Sequence, residues 1–300
     1  MLVSHTAQAR LKVVYGRDDR KEPYQVTNAL HKKLAASTAA MISNNNFSKS
    51  SQDGYLNMSY DSLELTGNLC PSESFSAQPD SSICSGFLIG PDILVTAGHC
   101  YSELVDGCNT HAWVFGYDIE SPGHNPTKFI SLKDDVYRCK EIIDNQLDDN
   151  RDYTIIRLNR PVVGREPLKF RTSGKLSDAA NLVVIGHPSG LPTKIAAGGK
   201  VLLNTQENRF EASLDTFAGS SGSAVFDAET GLIEGILVQG RNDYGPSNPN
   251  DPSSCQVVNY CDENGKNCTS PAAGDDATYT GEVVYRITEI THQLEEALRK

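Results

Sequence analysis

The chain has 300 residues, with 27 Lys and Arg against 38 Asp and Glu, a formal net charge of −11 near neutral pH. An apolar share of 38% supports a real core and excludes a wholly disordered chain. The acidic balance, with no basic run longer than "HKK", argues against nucleic acid as a partner, and no stretch approaches the roughly 18 to 20 apolar residues that span a bilayer, so no membrane partner is expected.

The opening "MLVSHTAQA" lacks a basic n-region but ends in Ala7-Gln8-Ala9, the small-x-small pattern of a signal-peptidase site. Residues 1–35 are read as an N-terminal extension: a signal remnant, a propeptide, or an arm packed on the body. "KEPYQVTNALHKKLAASTAAMI" (21–42) is expected to begin helical and end as a strand, and the polar "SNNNFSKSSQDG" behind it to be a loop. From about Ser82 the chain becomes short apolar runs rich in Val, Ile, Phe, Tyr and Thr, among them "SICSGFLIG", "DILVTAGHC", "DYTIIRL", "NLVVIGHP", "SAVFD", "GLIEGILVQG" and "EVVYRI", punctuated by Gly, Pro, Asn and Asp. That pattern is all-β, sandwich or barrel, and the absence of βαβ alternation or a long repeat disfavours a doubly wound sheet or solenoid. Residues 241–280, rich in Pro, Asn, Asp and Cys, read as a long disulfide-tied loop, and Ile287, Ile290, Leu294 and Leu298 mark one face of a C-terminal amphipathic helix.

Eight cysteines, at 70, 84, 100, 108, 139, 255, 261 and 268, form no CxxC pair, so disulfides are favoured over a zinc site and no metal is expected. Disulfides persist in oxidising compartments, which implies a secreted or periplasmic protein. His187 in "VVIGHPSG" sits in a Gly/Pro turn and is read as structural. Ser189 follows in "GHPSG", not in G-x-S-x-G, so a nucleophile elbow is unsupported. "CDENGKNC" does not match a calcium loop.

Three short segments occur in a particular order. "CSGFLIGPDILVTAGHC" puts Cys84 and Cys100 at the ends of an apparent hairpin, with His99 beside the second cysteine. "RDYTIIRL" puts Asp152 immediately before an alternating strand, and the serine-rich "TFAGSSGSAVF" follows. The order His, Asp, Ser is that of the catalytic triad of double-barrel β proteases. Together, "TAGHC", "DYTIIRL" and "GSSGSAVF" resemble the signature segments of the trypsin-like, chymotrypsin-fold serine peptidases over roughly residues 80 to 290. The form G-x-S-G-S is similar to the bacterial branch that includes the glutamyl endopeptidases.

The resemblance implies two antiparallel Greek-key β-barrels, the first over residues 36–165, the second over 166–300 with the long loop and a C-terminal α-helix. It makes His99 the general base, Asp152 its orienting partner and Ser221 the nucleophile, with the N–H groups of Gly219 and Ser221 holding the oxyanion. It implies protein or peptide substrates and a disulfide joining Cys84 to Cys100; an acyl-enzyme released by water requires no cofactor, and a monomer is expected. Cys108 and Cys139, which flank the strands after His99, are expected to pair, leaving Cys70, Cys255, Cys261 and Cys268 in three possible pairings. The position before the nucleophile is Ser220, where the digestive enzymes carry an aspartate that receives a new N-terminal ammonium, so that activation switch is missing. In that family the residue six before the nucleophile lies at the base of the specificity pocket, so the resemblance places Asp215 there and implies Arg or Lys at P1, with Gly240 and Val283 on the walls. Leu237 stands where the glutamyl enzymes carry a pocket histidine. A glutamate- or small-residue-specific peptidase and a non-catalytic homologue acting as a binding module are the alternatives.

Overall fold

The computed structural model describes residues 13–102, 104, 106–128, 130–269 and 279–299. The Ala7-Gln8-Ala9 triplet lies outside the described residues. Two closed barrels dominate. Around the first run Thr38–Ser43, Ser82–Leu88, Ile93–Thr96, Asp152–Leu158, Val136–Leu147 and His111–Phe115, which pairs back onto Thr38–Ser43. Around the second run Asn181–Gly186, Lys194–Leu203, Arg209–Ala212, Glu282–Arg286, Ile233–Gln239 and Ala224–Asp227, which pairs back onto Asn181–Gly186. Numbered along the chain, the strands of both barrels follow one spatial order, 1-2-3-6-5-4. Every ladder in them is antiparallel, and closure leaves no long unpaired edge.

The alternating runs explain the barrels. In the first, Phe87, Trp113, Phe115 and Tyr137 fill the interior, with Phe115 and Tyr137 edge to face at 5.5 Å. Asp152–Leu158 is buried on both faces apart from Arg157, since one face lines the first barrel and the other meets the second, where Tyr153 stacks on Tyr285 at 5.9 Å. Val136–Leu147 shifts register twice, after Cys139 and after Ile142, and its second half stays paired with Asp152–Leu158 but runs past its pairing with His111–Phe115, leaving Ile142 exposed.

Residues 13–36 form a strap on the second barrel. Val14–Tyr15 pairs in parallel with Tyr260–Cys261, and Arg20–Lys21 adds a short strand opposite Ala196 and Ile195. The expected helix-then-strand reading of 21–42 resolves into helix Ala29–Ala35 and strand Thr38–Ser43, with the Asn28 side chain accepting the Leu30 and His31 N–H groups as an N-cap. The polar stretch read as a loop behind it contains a strand, Phe47–Lys49, paired with Tyr55–Met58. One aromatic decides this: Phe47 packs against the buried Met58, Tyr117 and Ile130.

At the C-terminus a 3₁₀ turn, Ile287–Ile290, leads into helix Thr291–Arg299, with Ile287, Ile290 and Leu294 buried. Leu298 departs from the expected stripe. At about 100° per residue it sits roughly 80° round from Ile290, whereas Ala297 sits within about 20° of it. Accordingly Ala297 is buried and Leu298 is exposed. Among the described residues no helix is long and apolar enough to cross a membrane.

Candidate active site

His99 opens a single helical turn, His99–Ser102, directly after strand Ile93–Thr96, and Cys100 beside it is bonded to Cys84 on the neighbouring strand. Gly98 allows the approach, because a Cβ there would lie 2.1 Å from the Gln146 carbonyl oxygen. Asp152, the first residue of its strand, accepts the His99 backbone N–H at 3.0 Å, and its two carboxylate oxygens lie 3.1 and 3.0 Å from His99 Nδ1. A carboxylate on Nδ1 favours the tautomer with the proton there, which leaves Nε2 basic. Asn145 braces the same corner, donating to Thr154 Oγ1 at 2.8 Å and to the Gly98 carbonyl at 3.4 Å. His99, Cys84 and Cys100 lie close enough together to suggest a metal site, but the two sulfurs are bonded to each other and offer no thiolate.

Ser221 sits in a tight turn between Gly219 (φ +88°) and Gly222 (φ +85°), backbone angles that favour glycine. The first barrel grips this turn. Ser85 donates its N–H to the Ser221 carbonyl at 2.8 Å and its hydroxyl to the Gly219 carbonyl at 2.9 Å. A Cβ on Gly222 would lie 2.2 Å from both the Ser85 carbonyl oxygen and Thr96 Oγ1. Cys100 Sγ lies 3.8 Å from the Ser221 carbonyl oxygen. His99, Asp152 and Ser221, distant in sequence, thus converge where the barrels meet, each no more than 7% exposed. Against Asp152 lies a cavity of about 370 Å³, lined also by Asp149, Asn150, Arg209, Val238, Val283 and Tyr285. Ser220 Oγ accepts the Phe217 N–H at 3.4 Å, and Ser223 is fully buried, both within the turn's own packing. His187 is fully buried, stacked on Tyr117 with Nδ1 3.1 Å from the Leu191 carbonyl, and burial drives its pKa down to about 3.

The expected pocket residues are arranged less simply. Asp215 is buried, but its carboxylate oxygens accept the backbone N–H groups of Tyr15 at 2.7 Å and Asp19 at 2.8 Å, so it ties down the N-terminal strap. Burial raises its pKa, and burial together with the Asp215 charge raises that of Asp19 to about 9. Next to this pair Arg20 is buried, held by the Asp18 carboxylate at 2.7 Å and lying 4.1 Å over the Phe217 ring. Leu237 and Val283 are buried, Leu237 within the second barrel's core.

Gly240 borders an acid that sequence reasoning missed. A Cβ at Gly240 would lie 2.0 Å from Glu282 Oε2, and the Glu282 carboxylate also accepts the Thr216 hydroxyl at 2.6 Å and the Tyr15 hydroxyl at 3.2 Å. Glu282 is fully buried. A strand-start glutamate in "GEVVYR" gives no sign of burial, because the strap that covers it is some 270 residues upstream (|i−j| = 267 for Tyr15). Disulfides join Cys70 to Cys255, Cys84 to Cys100, Cys108 to Cys139 and Cys261 to Cys268, which resolves the pairings left open.

Comparison with known proteins adds three findings. A family profile described as a trypsin-like peptidase domain matches residues 84–236. The glutamyl endopeptidase of Bacillus licheniformis is 28% identical over 151 residues, 48% of this chain and 45% of that protein, so the match spans under half the relative's length. The solved structure of the VesB protease of Vibrio cholerae aligns with a TM-score of 0.53 at 11% identity, covering 95% of this chain and 68% of that one, which is likeness of fold.

Proposed function

Given that the chain belongs to the trypsin-like peptidase domain family, we propose that it is an exported serine endopeptidase acting on protein or peptide substrates through His99, Asp152 and Ser221. The observation that carries this reading is the doubly anchored His99, its ring Nδ1 3.0 to 3.1 Å from both Asp152 oxygens, on the barrel wall that grips the Ser221 turn. Ser221 Oγ attacks the scissile carbonyl carbon while His99 Nε2 takes its proton. The carbonyl oxygen, now negative, is received by the N–H groups of Gly219 and Ser221. Collapse breaks the C–N bond, and His99 returns the proton to the leaving amine. Water then attacks the acyl ester as His99 takes its proton, and collapse breaks the ester C–O bond as His99 returns that proton to Ser221 Oγ, freeing the acid and the starting enzyme. None of these steps calls on a cofactor. Four disulfides are the support for export.

Arg or Lys at P1 is the preference we propose, on the acidic surroundings of the pocket. With both Asp215 oxygens engaged by the strap, Glu282, against Gly240, is the acid adjoining the wall. A serine-directed phosphonate tests the reading: mass spectrometry should find one adduct, on Ser221, absent from Ser221→Ala. An unlabelled wild-type chain makes the protein a binding module. Rates on matched Arg, Glu and Leu esters then rank P1, and faster turnover of the Glu ester overturns the basic preference.

A further inference from the structure

The peptide unit between Ala218 and Gly219 carries the N–H expected to receive the oxyanion, and hydrogen bonds hold its carbonyl and the N–H of the peptide unit before it. The Ala218 carbonyl accepts the Ser189 N–H at 2.5 Å. The Ala218 N–H is donated to Asp243 Oδ2 at 2.9 Å. Ser189 itself is in the left-handed region (φ 50°) and is tied through its hydroxyl to the Tyr244 hydroxyl at 2.6 Å. Asp243 and Tyr244 belong to the long insertion, fixed by the Asn259 N–H on the Asp243 carbonyl, by pairing of Tyr244–Pro246 with Gln256–Val258, and by the Cys70–Cys255 disulfide at the hairpin's other end.

In a trans peptide the C=O and N–H point in opposite directions, and the described residues contain no cis bond. A carbonyl of Ala218 turned onto Ser189 therefore sends the Gly219 N–H away from the 187–190 loop. Rotation of this unit by half a turn would present a carbonyl oxygen to the developing negative charge in place of a donor, turning an attraction into a repulsion. Gly219 has no side chain to resist that rotation, and none would fit, because a Cβ there would lie 2.7 Å from the His187 carbonyl oxygen. The resistance comes from Ser189, which holds the carbonyl of this unit, and from Asp243, which fixes the preceding unit through the Ala218 N–H.

We infer that Asp243 and Tyr244 are positioning residues for the oxyanion site: Asp243 anchors the Ala218 N–H, and Tyr244 holds Ser189 where its N–H fixes the Ala218 carbonyl. This rests on the serine peptidase reading. The test measures ester and peptide turnover by wild type, Asp243→Ala, Asp243→Asn and Tyr244→Phe, together with crystal structures of the variants. Loss of a whole oxyanion donor costs about 10²- to 10³-fold in kcat. A loosened donor is accordingly expected to cost about 10- to 100-fold in Asp243→Ala and Tyr244→Phe, with KM within about twofold. Asp243→Asn, whose amide oxygen still accepts the Ala218 N–H, recovers most of the loss, and the impaired variants show the 218–219 peptide turned or in two orientations. Undiminished kcat in Asp243→Ala and Tyr244→Phe overturns the inference, as does a loss shared equally by kcat and KM that Asp243→Asn does not restore. A wild-type chain without Ser221-dependent turnover removes the peptidase reading instead, and the peptide orientation in the variant crystals still decides whether these residues hold the turn.

Discussion

Asp152 and Asp215 are both buried aspartates, 7% and 6% exposed, and both accept backbone N–H groups, yet they are built in different ways. Asp152 takes its partner from 53 positions away in the same barrel, and that partner's disulfide and strand are written in the flanking segment. Asp215 takes its partners from 196 and 200 positions away, out of a strap belonging to neither closed barrel. The wall carrying His99 and Asp152 is therefore assembled within one barrel, whereas the buried surroundings of Asp215 depend on a distant segment docking correctly. Any change to the strap should be felt around Asp215 first.

The largest separation of the two regions is expected from replacing each acid by its amide. Asp152→Asn should lower kcat by about 10⁴-fold, the scale known for triad enzymes whose histidine is left in the wrong tautomer, with little change in melting temperature. Asp215→Asn should do the reverse. Its amide nitrogen would face a backbone N–H and leave a buried donor unpaired, costing about 1 to 3 kcal/mol of stability, while turnover of a small ester with an apolar P1 falls by less than about tenfold. Steady-state kinetics beside urea unfolding reads both effects, and equal loss of activity in the two variants would dissolve the distinction.

Disulfides give the next contrast. Cys84–Cys100 closes a separation of 16 residues, and Cys70–Cys255 one of 185. On the chain-entropy account their removal costs about 3 and about 5 kcal/mol respectively. Pairwise Ser substitutions should therefore destabilise more at Cys70 and Cys255, but remove more activity per unit of stability at Cys84 and Cys100, beside His99. Thermal melts paired with phosphonate labelling rates check the crossover.

A smaller effect concerns pH. The folded chain holds the Asp19 proton up to about pH 9 against an ordinary value of 3.8, because of burial and the Asp215 charge. A raised acid pKa means the folded state binds more protons than the unfolded one between those limits. The stabilisation is full below about pH 4, falls as pH rises towards 9, and is flat beyond. Asp19→Asn should reduce the decline in urea midpoint between pH 5 and 9, leaving the contributions of Asp215, Asp118 and Asp80, whose pKa values burial raises in the same direction. An unchanged slope would mean that Asp19 is not the protonated member of the pair.

What could be read in the sequence follows the same division. Alternating runs of Val, Ile and aromatics located the barrel strands, and the order of "TAGHC", "DYTIIRL" and "GSSGSAVF" singled out three residues that converge in space. These signals are local, because strand periodicity and glycine-bounded turns are properties of consecutive residues. The rest depends on pairing across the chain. "VVYGRDD" shows no mark of wrapping Asp215, nor "GEVVYR" of burying Glu282 beneath a tyrosine from the strap. Phe47 made a strand out of an Asn- and Ser-rich stretch only because Met58 and Ile130 were there to receive it. Asp243 and Tyr244 lay in a segment with no periodicity, and their grip on Ala218 and Ser189 is visible only in three dimensions.

The central claim is Ser221-dependent proteolysis, and the most direct measurement is a mass-spectrometric cleavage map of a diverse peptide library treated side by side with the wild-type chain and with Ser221→Ala. Cleavage by the wild type is expected, concentrated after Arg and Lys, with a fall of at least about 10⁴-fold in the variant. Cleavage that persists in Ser221→Ala, or none by either chain, would contradict it.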